Sequence, residues 1–74
     1  NSKNVLAYHN RGVAYAQKGD PDQAIANYNE AIRLKWPSKD AVMYQNRGNA
    51  YATKGDLDKA NADFAKAKKL GYKP

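Results

Sequence analysis

The sequence predicts an all-α fold: two antiparallel helix-turn-helix hairpins stacked as a short right-handed α-solenoid. The first observation behind this is an internal echo. Shifted by 36 residues, Tyr8-His9-Asn10-Arg11-Gly12 falls on Tyr44-Gln45-Asn46-Arg47-Gly48, and Lys18-Gly19-Asp20 falls on Lys54-Gly55-Asp56. A period between 20 and 50 residues marks a repeat unit that buries its apolar face only by stacking on a neighbour. Second, apolar residues recur every three or four positions, without the alternation of a strand. Third, each copy carries a Gly-Asp pair at its middle, where one helix would stop and the next begin.

Taken in order, the first helix begins near residue 3, because Ser2 aligns with Ser38 and either can act as a cap. Leu6, Tyr8, Ala14, Tyr15 and Ala16 mark its apolar side, and Gly19 ends it in a left-handed conformation. Asp20 then caps the second helix, with Pro21 at the first helical position, where a missing N–H costs nothing. Gln23, three residues after the cap, completes a capping box. Ala24, Ile25, Tyr28, Ala31 and Ile32 form the face of this helix. In the second copy Ser38 caps a helix over about 39–54, and Gly55 stops it. Asp56 caps a fourth over about 57–70, with Leu57, Ala60, Phe64 and Ala67 as its apolar face.

Helices this short are marginal alone in water, so packing must hold them. Small residues allow it: Gly12/Gly48 and Ala24/Ala60 let helix axes approach, while Tyr15/Tyr51 and Tyr28/Phe64 fill the space beside them. The organisation expected is one domain, 1–74, made of repeats 3–36 and 37–74.

Bulk composition narrows the function classes. The 74 residues contain no cysteine and one histidine, His9, so neither disulfides nor a thiolate or multi-histidine metal site is expected. No apolar run approaches a membrane span, and no secretory signal pattern is visible. A cytoplasmic location is therefore expected, and the start at Asn1 rather than Met suits an excised fragment. The net charge is +6, and from Lys59 onward five lysines face a single acid, Asp63. A solvated terminal face accounts for such a run. Four of the other acids, Asp20, Asp22, Asp56 and Asp58, stand at helix starts, where they cap and complement the dipole. With no Ser/Cys/His constellation, no phosphate loop and no carboxylate pair, no catalytic residue and no cofactor are expected.

The pattern resembles the tetratricopeptide repeat. Tyr8, Gly12 and Tyr15, with Tyr44, Gly48 and Tyr51, match the aromatic-x-x-x-Gly-x-x-Tyr of its first helix. Ala24, Tyr28 and Ala31, with Ala60, Phe64 and Ala67, match the Ala-x-x-x-aromatic-x-x-Ala of its second. Two departures stand out. The period is 36 where the family has 34, the excess falling in the loop 35–40, a candidate hinge, whose Trp36 is either a contact residue or, as its counterpart Tyr72 favours, packing that closes the hairpin. A stable stack also normally takes about three repeats. Ile25 and Ile32 become Asn61 and Lys68 in the second copy, as at the end of an array, and both polar residues are expected to be exposed.

The resemblance implies a protein–protein interaction module that binds a peptide on the concave face of its first helices. Carried over by position, that groove uses His9, Asn10, Val13 and Gln17, then Gln45, Asn46, Asn49 and Thr53, and Leu6 and Val42 belong to the same face. Amides suit it because each offers a donor and an acceptor to a ligand backbone. Asn10 and Asn46, one repeat apart, are the candidate clamp; alternatively both face water or bond neighbouring backbone. A variant of the family grips a terminal carboxylate with lysine and asparagines. Asn46 and Asn49 match by type, but Gln45 stands where the lysine is needed, which argues against it. Arg11 and Arg47, repeated beside the glycines, read as struts with their stems packed between helices.

Two rival readings remain. Val5, Leu6, Val42 and Met43 form an apolar flank that a second copy could cover, or the 35–40 loop could exchange hairpins between chains, giving a homo-oligomer. Pentatricopeptide-like RNA binding is the other, and the ending Lys68-Lys69-Leu70-Gly71-Tyr72-Lys73-Pro74 resembles it. The scarcity of positive charge in the groove argues against nucleic acid.

Overall fold

The computed structural model describes residues 2–34 and 41–73, with side chains from Asn4 onward. Among these, four helices follow in chain order, α1 (Ser2–Gln17), α2 (Pro21–Arg33), α3 (Ala41–Thr53) and α4 (Leu57–Lys69), and there is no strand. They form two hairpins in a solenoid-like stack. The loop 35–40, with Trp36, the Ser38 cap and the expected hinge, lies outside the described residues.

Both hairpin turns use one piece of backbone chemistry. Gly19 (φ +81°) and Gly55 (φ +87°) adopt the left-handed conformation. Gly19 N–H donates to the Ala16 carbonyl at 3.1 Å and Asp20 N–H to that of Tyr15 at 2.9 Å; Gly55 and Asp56 repeat this with Ala52 and Tyr51. This doubly bonded ending satisfies carbonyls that the helix would otherwise leave bare. The same aspartates start the next helices, Asp20 accepting from Gln23 N–H at 3.1 Å and Asp56 from Lys59 N–H at 3.3 Å. The expected capping box is therefore only half formed. Its second bond needs the Asp20 N–H, which the Tyr15 carbonyl has already taken.

Within each hairpin the axes meet at a glycine. A β-carbon on Gly12 would lie 2.6 Å from Tyr28 Cε1 and 3.2 Å from the Ala24 carbonyl oxygen; on Gly48 it would lie 2.7 Å from Phe64 Cε1. The surroundings differ: Tyr28 is 2 % exposed, whereas the Phe64 ring is half-buried. Gly12→Ala is thus expected to destabilise the fold by about 1–3 kcal/mol. In Gly48→Ala the freer ring can yield, which leaves the 3.1 Å approach to Asp63 Cβ, and alanine's helix preference, about 1 kcal/mol, offsets part of the strain. Urea unfolding followed by circular dichroism checks this, and equal losses in the two variants would contradict it.

Beside each glycine an arginine spans the hairpin. Arg11 Nε donates to Asn27 Oδ1 at 2.8 Å, and Arg47 Nε and Nη2 donate to Asp63 Oδ2 and Oδ1 at 2.8 and 2.7 Å. Asn27 and Asp63 are buried, and the aromatic faces of Tyr8 (5.3 Å from the Arg11 guanidinium carbon) and Tyr44 (5.4 Å from that of Arg47) cover the cations. The hydrogen bonds to Asp63 hold the Arg47 guanidinium above its ordinary pKa.

The hairpins join where α3 lies on α2. Met43 and Ala50 enter one buried cluster with Val5, Ala24, Ile25, Tyr28 and Ala31, and Ile32 packs against it. Leu57 departs from its expected role: at 62 % exposure, on the first position of α4, it points away from the core. Asn61 and Lys68 are exposed, in contrast to Ile25 and Ile32 one repeat earlier.

Candidate functional site

Consecutive helices pack on each other, α1 on α2, α2 on α3 and α3 on α4, while α1 barely touches α3. A wedge consequently opens between the two first helices, with α2 beneath. It holds a cavity of about 300 Å³. Its walls come from helical spacing: Val13, Ala16 and Gln17 on α1, and Asn46, Asn49, Ala50 and Thr53 on α3. Tyr28 and Pro21 of α2 complete the lining.

Every lining residue is uncharged. Burial pushes the Tyr28 phenol above its usual pKa, which keeps it neutral. Apolar surface from Val13, Ala16, Ala50 and, beneath them, Pro21 therefore shares the lining with the amides Gln17, Asn46 and Asn49. Asn46 is positioned by a bond across the repeats, its Nδ2 donating to His9 Nε2 at 3.1 Å, and the His9 ring lies 6.1 Å from that of Tyr28. The Thr53 hydroxyl donates to the Asn49 carbonyl at 3.0 Å within its own helix. The Gln17 and Asn49 side chains are exposed and form no hydrogen bond among the described residues, so donors and acceptors remain for a ligand. At the edge Lys54 pairs with Asp22 at 2.6 Å, tying the end of α3 to the start of α2.

Of the eight residues expected in the groove, Val13, Gln17, Asn46, Asn49 and Thr53 line this cavity and His9 orients Asn46. Asn10 and Gln45 stand apart. Asn10 occupies the position on α1 that Asn46 holds on α3, but its side chain is exposed and takes no part in lining this cavity. Gln45 lines a separate concavity at the outer end of the second hairpin. The lining residues Pro21, Tyr28 and Ala50 were legible only as a helix start and core filler, because nothing local says that α2 underlies the wedge. Leu6 and Val42, 49 % and 44 % exposed, continue the two first-helix faces at their N-terminal ends by helical spacing. Val5 and Met43 do not belong to an exposed flank; both are buried in the core.

Among the described residues no three histidine, aspartate or glutamate side chains gather as a metal site. No described helix is long and apolar enough to cross a membrane. Compared with known families, residues 5–35 match one model described as tetratricopeptide repeat, and residues 41–70 match a second with the same description. No curated protein matches the chain.

Proposed function

Because this chain belongs to the tetratricopeptide repeat family, we propose that the wedge between α1 and α3 seats a peptide segment of a partner protein. Members of this family are generally protein–protein interaction modules, a non-catalytic scaffold type. The observation that carries the reading here is an uncharged cavity whose lining combines apolar surface with amides left free, Gln17 and Asn49. A volume of about 300 Å³ accepts one apolar side chain, while the amides hold the flanking main chain. The exposed Leu6 and Val42 extend the apolar contact along the same faces. Residues 1–74 act as a single interaction domain, repeats 3–36 and 37–74 each contributing one wall, and no chemical step is assigned to it. The cavity is small, so this contact by itself binds weakly.

Self-association through the Val5/Leu6/Val42/Met43 flank loses its basis, since two of those four residues are already spent in the chain's own core. An RNA ligand finds no cation in the cavity lining.

Peptides selected on the immobilised chain from a displayed library test the reading. Gln17→Ala/Asn49→Ala is expected to weaken the selected peptides about tenfold or more, two hydrogen bonds of roughly 1 kcal/mol each being lost. Helicity should be unchanged by circular dichroism. Unchanged affinity in the folded double variant would place the ligand elsewhere.

A further inference from the structure

The repeat makes the inside of this molecule a template for its outer end. Where α3 lies on α2, Met43 is buried with Ile25 and Tyr28, Asn46 bonds His9, and Lys54 pairs with Asp22. Shifted by 36 residues, the surface that receives α3 becomes the outer face of the α3–α4 hairpin. There Asn61, Phe64 and Lys68 replace Ile25, Tyr28 and Ile32, Gln45 replaces His9, and Asp58 replaces Asp22. This face is concave: Gln45, Phe64, Lys68 and Tyr72 enclose about 420 Å³. The two rings are half-buried, and Lys68 is exposed, with no ion pair among the described residues.

A second copy fits this face badly. The same geometry would bring its α1 there, with Ala7 where Met43 stands, too short to cover Phe64. It would also carry Arg11 towards a face holding Lys68 and Lys69, in a chain of net charge +6. Asp58 marks one edge of the face, but around Phe64 it is basic, and an occupant there must bring negative charge combined with apolar length. We infer that it is a docking surface for an amphipathic helix of a partner protein, seated as α3 sits on α2 and carrying a glutamate at the position of Met43. The glutamate stem covers Phe64, and its carboxylate meets Lys68 and the Asn61 amide. A helix is specified because the receiving shape is the one that a helix fills in the first repeat.

The probe is a synthetic peptide of residues 41–56 of this chain carrying Met43→Glu and Arg47→Ala, the second change removing the like charge that a copy of the chain would bring. It is titrated into the isotope-labelled protein and followed by nuclear magnetic resonance. The amides of Gln45, Phe64, Lys68 and Tyr72 are expected to shift. The Met43→Glu peptide should bind about five- to tenfold more tightly than its Met43→Lys counterpart, as exchanging attraction for repulsion at an exposed pair allows. The exposed substitution Lys68→Glu should reverse that order, and Ala50→Pro in the peptide, which breaks its helix, should abolish binding. Absent binding, equal affinity for the two peptides, an unreversed order with Lys68→Glu, or full binding by the proline peptide would each overturn the proposal. So would shifts confined to Val13 and Asn49 of the groove, or a dimer of the unliganded chain in sedimentation, which would give the face to a second copy.

Discussion

Arg47→Met is expected to cost about 3–5 kcal/mol, the scale for stripping the counter-charge from a buried ion. Asp63 is only 4 % exposed, and both its oxygens are held by Arg47, at 2.8 and 2.7 Å. Methionine keeps the apolar stem but leaves the carboxylate uncompensated between two helices. It also removes the Arg47 Nη1 bond to Asn29 at 3.0 Å, which links the second hairpin to the first. A domain of this length has roughly 4–11 kcal/mol of stability in all, so much of the variant population unfolds. The first repeat supplies an internal control. Arg11 bonds a neutral partner, Asn27, whose amide also donates to the Gln23 carbonyl at 2.8 Å. Arg11→Met should therefore cost only about 1–2 kcal/mol, the loss of one hydrogen bond and some packing. Adding Asp63→Asn to Arg47→Met copies that neutral arrangement and should recover much of the loss. Urea unfolding of the three variants measures this; equal costs for Arg11→Met and Arg47→Met would refute the role given to the buried charge.

Met43→Ala is expected to cost about 2–5 kcal/mol, since the side chain is 1 % exposed and its removal opens a cavity in the packed seam between α2 and α3. The site has a second importance. A repeat array is held by the interfaces between neighbours, and the two described hairpins meet mainly where α3 lies on α2. Weakening that contact should broaden the unfolding transition as the hairpins part company, an effect that a loss within one hairpin would not produce. Met43→Leu, which nearly conserves volume, should cost less than about 1.5 kcal/mol. Thermal unfolding by calorimetry reads both effects. An alanine variant within about 0.5 kcal/mol of the parent would show that the seam is held elsewhere.

Neighbouring residues show how far the sequence could be read. Val5 and Leu6, or Val42 and Met43, are equally apolar and adjacent, yet one of each pair is buried and the other exposed. Helical spacing places both near one face, and only the position of α2 separates them. The arginine struts were legible yet incompletely read. Arg11/Asn27 and Arg47/Asp63 share a spacing of 16 residues in both copies, a regularity that could have named the partners as well as the arginines. The capping box failed for a different reason: the turn and the cap compete for one N–H, and the turn's bond to the Tyr15 carbonyl takes it.

By itself the sequence determined the four helices, their glycine-aspartate turns, the pairing into hairpins and the membership of a repeat family. Each depends on groups a few residues apart, or on a register written twice. Only the tertiary structure decided which amides share a cavity and which do not. Val13 and Asn49 share one cavity because α2 holds α1 and α3 apart, whereas Asn10, identical in type and register to Asn46, lies outside that wedge and is exposed. The groove is made by separation between helices, and separation is set by the packing of a third.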